Sequence, residues 1–275
     1  MSLTIQQCLV NFKSLIENAI LTGGKKGITS AIRSSTPILN IHEAVKWEFV
    51  QKGVAAVRIF PPLDARKPEL KLAGSLKQKH QDVCIIPARL SPKEEVMTDG
   101  LLKGVKDAYG KTFTERTISI NVRSQMSSLQ KNFDTLFERT FSEAQNLHER
   151  CPKMCLGEVY MIAVPEYDDR QFDANNIVLK KPRRQVVEQY IRSFLSINNR
   201  HDTKKHFYQY ERVCLLIVDF TQNPPKLYTS DQELKDAGLL AEDSDMSIAS
   251  LNWDSFAASL LAKWEERFGK SGKAG

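Results

Sequence analysis

The sequence predicts a mixed α/β fold, with a mixed central sheet flanked by helices and a helical N-terminal portion. Two observations lead to this prediction. Apolar residues recur at helical spacing over residues 4–21, before any strand pattern appears. From residue 116 onward, apolar runs typical of strands alternate with amphipathic segments typical of helices. Such alternation places helices against both faces of one sheet.

The composition is that of an ordinary globular protein, with 41% hydrophobic and 26% charged residues in a chain of 275. The five cysteines have no repeating spacing, and no apolar run approaches the ~18 residues of a membrane span. The N-terminus lacks the pattern of a signal peptide. We therefore expect one α/β domain over residues 1–275, in the reducing cytoplasm and away from membranes. A net charge of +6 suits a polyanionic partner such as nucleic acid, although it also suits solubility alone.

The N-terminal portion, residues 1–52, is predicted to be helical. A first helix over residues 4–21 carries an apolar stripe, and the loop "GGKKG" is expected to end it. A second helix is predicted from about Ile41 to Gln51. The run "VAAVRIF" then predicts a strand, which the following two prolines stop.

The central portion, residues 53–221, is predicted to contain the sheet. The basic segment 64–80 gives no clear secondary-structure signal, and it leads into a short apolar strand in "QDVCIIP". Residues 92–115 are expected to form a loop with about one helical turn. Residues 116–124 alternate as a strand does, and one face presents polar side chains. These polar residues are Thr117, Ser119, Asn121 and Arg123.

Three further elements complete this portion, and a C-terminal helical segment, residues 222–275, follows it. Ser127 and Gln130 form an S-x-x-Q capping box, which predicts a helix over about residues 128–149. Apolar strands are predicted over 156–164 and 212–220, with a helix over 183–197 between them. The last helix, 253–268, presents apolar residues that serve either a subunit contact or core packing. They are Trp253, Phe256, Leu260, Leu261 and Trp264.

Polar residues on two of these strands point to phosphodiester chemistry. Asp82 opens one strand, and Asn121 and Arg123 lie on a later one. If the two strands are neighbours, these side chains converge at one end of the sheet. Hydrolysis of a phosphodiester uses carboxylates that hold Mg²⁺ and a cation that neutralises the developing charge.

The run from "ISINVRSQ" to "GEVYMIAV" resembles the core of type II restriction endonucleases of the PD-(D/E)xK nuclease superfamily. The pattern of that superfamily is a D…(D/E)-x-K pair on adjacent strands, followed by a helix and another apolar strand. The similar features here are the order of these elements, the helix start "SSLQKN", an R-x-x-x-E-A helix and an L-G strand, and they cover roughly residues 80–165. The resemblance implies a restriction-endonuclease-like core that hydrolyses double-stranded DNA with Mg²⁺. It also implies a homodimer acting on a short palindrome, and a cognate DNA methyltransferase in the same system.

Carried over residue by residue, the motif assigns the metal-binding aspartate to Asp82. Asn121 falls where an acid is expected, and Arg123 falls where a lysine is expected. Asparagine offers a metal a carbonyl oxygen without a charge, while arginine can clamp a phosphate but cannot act as a general base. Four carboxylates are candidates for the missing acid: Asp134, Glu138, Glu43 and Glu48.

Basic clusters suggest where DNA phosphates would bind. "KQKH" precedes Asp82, and "KKPRR" precedes the helix at 183–197. Such clusters supply salt-dependent affinity, whereas base readout is expected from the loops 92–115 and 166–182. The candidate DNA-binding residues are Lys77, Lys79, Lys180, Lys181, Arg183 and Arg184.

Two alternatives remain at this stage. In the first, the chain is a DNA-binding or regulatory protein on the same fold whose catalytic site has decayed, which Asn121 and Arg123 favour. In the second, it is an unrelated α/β enzyme with a small-molecule substrate, which would need an apolar pocket. At each polar position an ordinary structural role is also open. For Asp82, for example, that role is to cap its strand or to pair with Lys79.

Overall fold

The computed structural model describes residues 3–269, which form a mixed α/β structure with a helical N-terminus. The helices are α1 (Ile5–Arg33), α2 (Thr36–Gln51), α3 (Lys111–Arg116), α4 (Phe133–Arg150), α5 (Arg184–Ser196), α6 (Asp231–Asp236) and α7 (Trp253–Phe268). The strands are β1 (Ile59–Phe60), β2 (Lys71–Ala73), β3 (Gln78–His80), β4 (Val83–Ile85), β5 (Glu95–Val96), β6 (Lys106–Asp107), β7 (Ile118–Gln125), β8 (Cys155–Ala163), β9 (Arg212–Asp219) and β10 (Lys226–Tyr228).

Within the described residues, a six-stranded sheet has the order β1-β4-β7-β8-β9-β10. Strands β1, β4 and β7 run antiparallel to one another, whereas β7, β8 and β9 are parallel. The last strand, β10, is antiparallel to β9. Two short ribbons, β2–β3 and β5–β6, form separate pairs.

Helices cover both faces of this sheet. One apolar core lies between the sheet and helices α1, α2 and α7, and a second lies between the sheet and helices α4 and α5. Every residue of β8 is buried, which explains why its sequence is apolar nearly throughout rather than alternating. The apolar residues of α7 belong to the first core, which confirms the core-packing alternative for that helix.

Several sequence expectations are confirmed. The predicted bounds of α7 are those observed, and β7, β8, β9 and α5 lie within two residues of their predicted positions. None of the helices within residues 3–269 is long and apolar enough to cross a membrane.

The prediction that "GGKKG" ends the first helix is confirmed in part. Gly24, within this run, has a φ of 52° and a ψ of −139°, so the helical backbone is broken there, and a second helical segment continues α1 to Arg33. A Cβ atom at Gly24 would lie 2.6 Å from both the Phe172 carbonyl oxygen and Asn175 Oδ1. Glycine therefore permits the kink, which lies against residues 172–175.

The predicted capping box is wrong. Helix α4 begins at Phe133, and residues before it form a turn in which Ser128 has a φ of 55°. The Gln130 side chain accepts a hydrogen bond from Arg183 Nη1 at 2.6 Å instead of capping the helix. The Leu129 amide donates to Glu166 Oε2 at 2.8 Å, so contacts with distant residues determine this turn.

Other segments differ from their predicted structure because tertiary pairing overrides weak local patterns. Within "VAAVRIF", Ala56–Arg58 form a short 3₁₀ turn, and only Ile59–Phe60 is a strand. The unassigned segment 64–80 contains the β2–β3 ribbon, and residues 92–115 contain the β5–β6 ribbon and the start of α3.

The close packing of α7 on β8 depends on Gly157. A Cβ atom at this position would lie 2.8 Å from Phe256 and 2.9 Å from Leu260. We therefore expect Gly157→Val to lower the free energy of unfolding by about 1–3 kcal/mol, measured by urea denaturation. The matched control is Gly23→Ala in α1, where a Cβ meets nothing within 4 Å. The control should be neutral or stabilising by up to about 1 kcal/mol. Equal stability of Gly157→Val and wild type would contradict the tight contact.

Candidate functional site

The structure brings Asp82 beside the polar face of β7. Strands β4 and β7 are antiparallel neighbours with Val83 opposite Ile120, so Asp82 comes next to the position of Asn121. Asp82 Oδ2 accepts a hydrogen bond from the Val122 amide at 2.9 Å. The expectation that these two segments are adjacent is therefore confirmed.

Arg123 is the centre of a largely buried ion network. Its Nη1 donates to Thr140 Oγ1 and to Glu158 Oε1, both at 2.7 Å, and its Nη2 donates to Glu143 Oε2. Burial disfavours the charge on Arg123, but the carboxylates of Glu158 and Glu143 outweigh burial and hold its pKa above the ordinary value. Arg123 is therefore a permanent cation.

Glu143, on α4, holds two cations with one oxygen atom. Its Oε2 accepts hydrogen bonds from Lys79 Nζ at 2.6 Å and from Arg123 Nη2. Arg139 Nε lies 3.8 Å from the other oxygen, Oε1. Burial raises the pKa of the Glu143 carboxyl, but Arg123 and Lys79 lower it by more, so the net shift is downward. This carboxylate is therefore ionised at neutral pH.

Glu158, on β8, is completely buried behind Arg123. Its Oε2 has no hydrogen-bond partner among the described residues. Burial raises the pKa of this carboxyl to about 7, even though Arg123 opposes the shift. Of the carboxyl groups beside Arg123, Glu158 is therefore the one for which burial prevails and favours the protonated form.

Asn121 is the register partner of Glu158 in the parallel β7–β8 pair, and it too is buried. Its Nδ2 donates to Tyr210 Oη at 3.3 Å, while its Oδ1 has no partner among the described residues. The structure therefore places Asn121 inside the protein, whereas the sequence suggested it as a metal ligand.

A cavity of about 570 Å³ opens beside this network, between helices α1 and α2 on one side and α4 on the other. Its apolar wall includes Ile16, Ile32 and Ile38. Its volume is within the range of small-molecule sites, and an apolar wall is what the small-molecule alternative requires. The charged residues that line it are Lys79, Asp82, Arg123, Arg139 and Glu143.

The ligand atoms that this cavity offers, carboxylate oxygens, are of the type that Mg²⁺ binds. Over residues 3–269 there is no cluster of three or more His, Cys, Asp or Glu side chains arranged to hold a metal. Mg²⁺, however, is usually bound by one or two carboxylates together with waters and substrate phosphate oxygens. The carboxylates available at the cavity are those of Asp82 and Glu143. Asp82 keeps one oxygen beyond its bond to Val122.

The four carboxylates suggested by the sequence for the missing acid lie elsewhere. Glu43 binds Lys46 and the Asp64 amide, and Glu48 pairs with Lys52. Asp134 and Glu138 are exposed on α4 and make no recorded contact with Arg123.

Glu143 and Glu158 take the positions beside Arg123, and sequence reasoning did not single them out. Two signals were present. Glu143 lies four residues before Leu147 and seven after Leu136, so it interrupts the apolar stripe of α4. Glu158 is the one charged residue in the apolar run 156–164. A charge in an apolar pattern is unusual and marks a paired or functional group.

The predicted DNA-binding residues divide into two groups. Lys79 is in the ion network, and Lys77 is exposed nearby in the turn before β3. Lys180 and Arg183 pair with Glu166 at 3.5 and 3.4 Å, and Arg184 pairs with Glu188. Arg183 also contacts the turn after β7, whose Met126 and Ser127 line the cavity. Only the first group therefore contributes a residue, Lys79, to the cavity itself, while the second group contacts the turn that follows β7, with Lys181 exposed beside it.

Comparison with known proteins gives no family for this chain. No family model, no curated protein and no solved structure matches it. A function for this chain must therefore be inferred from the chemistry of the cavity and its ion network.

The raised pKa of Glu158 predicts a pH-dependent stability. The carboxyl titrates near 4.5 when unfolded and near 7 when folded. Its proton therefore stabilises the fold fully below pH 4.5, and this stabilisation is lost as the pH rises through 7. The difference in unfolding free energy between wild type and Glu158→Gln should fall by about 3 kcal/mol from pH 4.5 to 7.5. Urea denaturation over a pH series measures it.

Subtracting the unfolding free energy of Glu158→Gln from that of wild type removes an opposing contribution from His42, which both proteins contain. Burial lowers the pKa of His42, so its contribution to stability increases with pH over part of the same range. The matched control is Glu138→Gln, the same change at an exposed position of α4. A difference between wild type and Glu158→Gln that does not change with pH would show that the pKa of Glu158 is not raised.

Proposed function

We propose that this chain is a Mg²⁺-dependent endonuclease of the type II restriction class, which hydrolyses double-stranded DNA at a specific sequence. The observation that carries the proposal is that Asp82 and Arg123, from adjacent strands, line one cavity together with Lys79 and Glu143. The helix α4 and the parallel strand β8 that follow β7 support a restriction-endonuclease-like core.

In this proposal, each residue of the cavity has a separate role in phosphodiester hydrolysis. Asp82 would hold the metal, which, when bound, polarises the scissile phosphate and lowers the pKa of an attacking water. Arg123 and Lys79 bind the phosphate and stabilise negative charge as it develops. Because Arg123 is permanently charged, it acts through its charge and its hydrogen bonds and does not transfer a proton.

The surroundings of the cavity favour a long polyanion over a small anion. The basic segment 180–184 lies near the same turn, and its exposed Lys181 adds to the positive surface. Backbone contacts of this kind give salt-dependent affinity, and neighbouring loops then contact base edges. A homodimer on a palindromic site and a cognate methyltransferase in the same system belong to this proposal.

A second candidate is a DNA-binding or regulatory protein whose catalytic site has decayed. Two observations favour it: Arg123 already makes three bonds within the protein, and Asn121 is neutral and buried. In this alternative the cations still bind phosphates, but metal-dependent cleavage is lost.

Cleavage of unmethylated phage DNA tests the proposal. We expect discrete fragments in Mg²⁺ and none in EDTA, because the metal activates the water. Asp82→Asn should reduce the rate roughly 100-fold or more, since it removes the metal-binding charge. The matched control is Asp134→Asn, an exposed aspartate on α4, which should cleave at nearly the wild-type rate.

The other outcomes separate the candidates. Salt-sensitive DNA binding without cleavage would support the decayed site and contradict the nuclease. The absence of both binding and cleavage would contradict both candidates.

A further inference from the structure

Glu143 stands out among the residues of the cavity because one of its oxygen atoms holds two cations. Lys79 comes from the β2–β3 ribbon, Arg123 from the central sheet and Glu143 from α4. Since both cations bond to Oε2, and hydrogen bonds are about 3 Å long, their nitrogen atoms lie within about 6 Å of each other. Two cations at this spacing can bind the oxygen atoms of a single phosphate.

The two cations keep donors for such a ligand. An ammonium has three N–H groups, and a guanidinium has five. Lys79 uses one donor, on Glu143, and Arg123 uses three, on Thr140, Glu158 and Glu143. Both side chains line the cavity. Spare donors are therefore available at its surface among the described residues.

Glu143 lies among several cations. Lys79, Arg123 and the mostly exposed Arg139 all lie within 4 Å of its carboxylate. Arg123 also pairs with Glu158, and Asp82 lines the same cavity, so net charge alone does not make this an anion site. What Glu143 adds is geometry, because it fixes two flexible cationic side chains at one atom.

We infer that Glu143 is a positioning residue, which holds Lys79 and Arg123 together as a paired binding site for one phosphate of a nucleic-acid backbone. The inference rests on the proposed DNA substrate, but it holds for both the active and the decayed site. It assigns a role to a negatively charged residue that lies on a surface proposed to bind a polyanion.

This role is tested by whether Glu143→Gln weakens or tightens DNA binding. Removing a negative charge from a basic DNA-binding surface ordinarily tightens binding, because less charge repels the phosphates. If Glu143 positions the cations, Glu143→Gln should instead weaken binding about 5- to 10-fold and reduce the slope of log affinity against log salt by about one. The matched control is Glu138→Gln, the same change at an exposed position of the same helix, which should leave binding equal or slightly tighter.

Fluorescence anisotropy with a labelled DNA duplex measures both effects over a series of salt concentrations. The measurements are made in EDTA, because Glu143 also lines the candidate metal site, and a loss seen without metal cannot come from a lost metal ligand. Lys79→Gln should weaken binding similarly in the wild-type background and much less in the Glu143→Gln background, because the two act as one unit.

Glu143→Asp keeps the charge on a shorter side chain and should restore part of the affinity. Circular dichroism and urea denaturation of each variant identify any that fail to fold, and Glu143→Asp still tests the inference if Glu143→Gln does not fold.

Two results would overturn the inference. One is tighter DNA binding by Glu143→Gln, as in the control, and the other is additive effects of the Lys79 and Glu143 changes. Either result leaves Mg²⁺-dependent cleavage by the wild-type protein unaffected, so the proposed function is judged separately. The absence of DNA binding by the wild type would overturn both.

Discussion

The largely buried charge of Arg123 is the constraint on which the arrangement of this site depends. A guanidinium taken out of water is stable only if its partners are placed correctly, and removing a single partner leaves an uncompensated charge. Here the partners come from β8 and α4, while the arginine is on β7. Arg123 can therefore reach all its partners only if the register of β7 with β8 and the position of α4 over the sheet are both right. Lys79 extends the same network to the β2–β3 ribbon.

A second buried network shows what a purely structural ion cluster looks like in the same molecule. Glu211 is fully buried and pairs with Arg200, Arg267 and His148. Burial raises the pKa of Glu211, but His148, Arg267 and the Leu156 amide reverse the effect and leave it at about 2. In contrast, burial dominates at Glu158 and brings its pKa to about 7. The Glu211 cluster is closed within the protein, whereas the Arg123 network opens on a cavity, where its cations keep donors that are not used within the protein.

The sequence predicted the helices and strands whose apolar patterns are strong, and it brought Asp82 and Arg123 to one end of the sheet on the condition that their two segments are neighbours. It did not predict the β2–β3 ribbon, because pairing with a partner strand rather than local pattern determines that segment. For the same reason Lys79 could be listed only as a member of a basic cluster. Glu143 and Glu158 were missed because periodicity describes the apolar majority of an element, while their importance depends on a contact with Arg123 across elements.

The neutral residue at position 121 is explained by its neighbour. Asn121 and Glu158 are register partners on adjacent strands, and both are buried. A carboxylate at position 121 would place two like charges side by side in the interior, which would raise the pKa of at least one of them and leave it uncharged. Asparagine avoids this repulsion. The carboxylates that pair with Arg123 come instead from β8 and α4, where Glu158 and Glu143 lie within its reach.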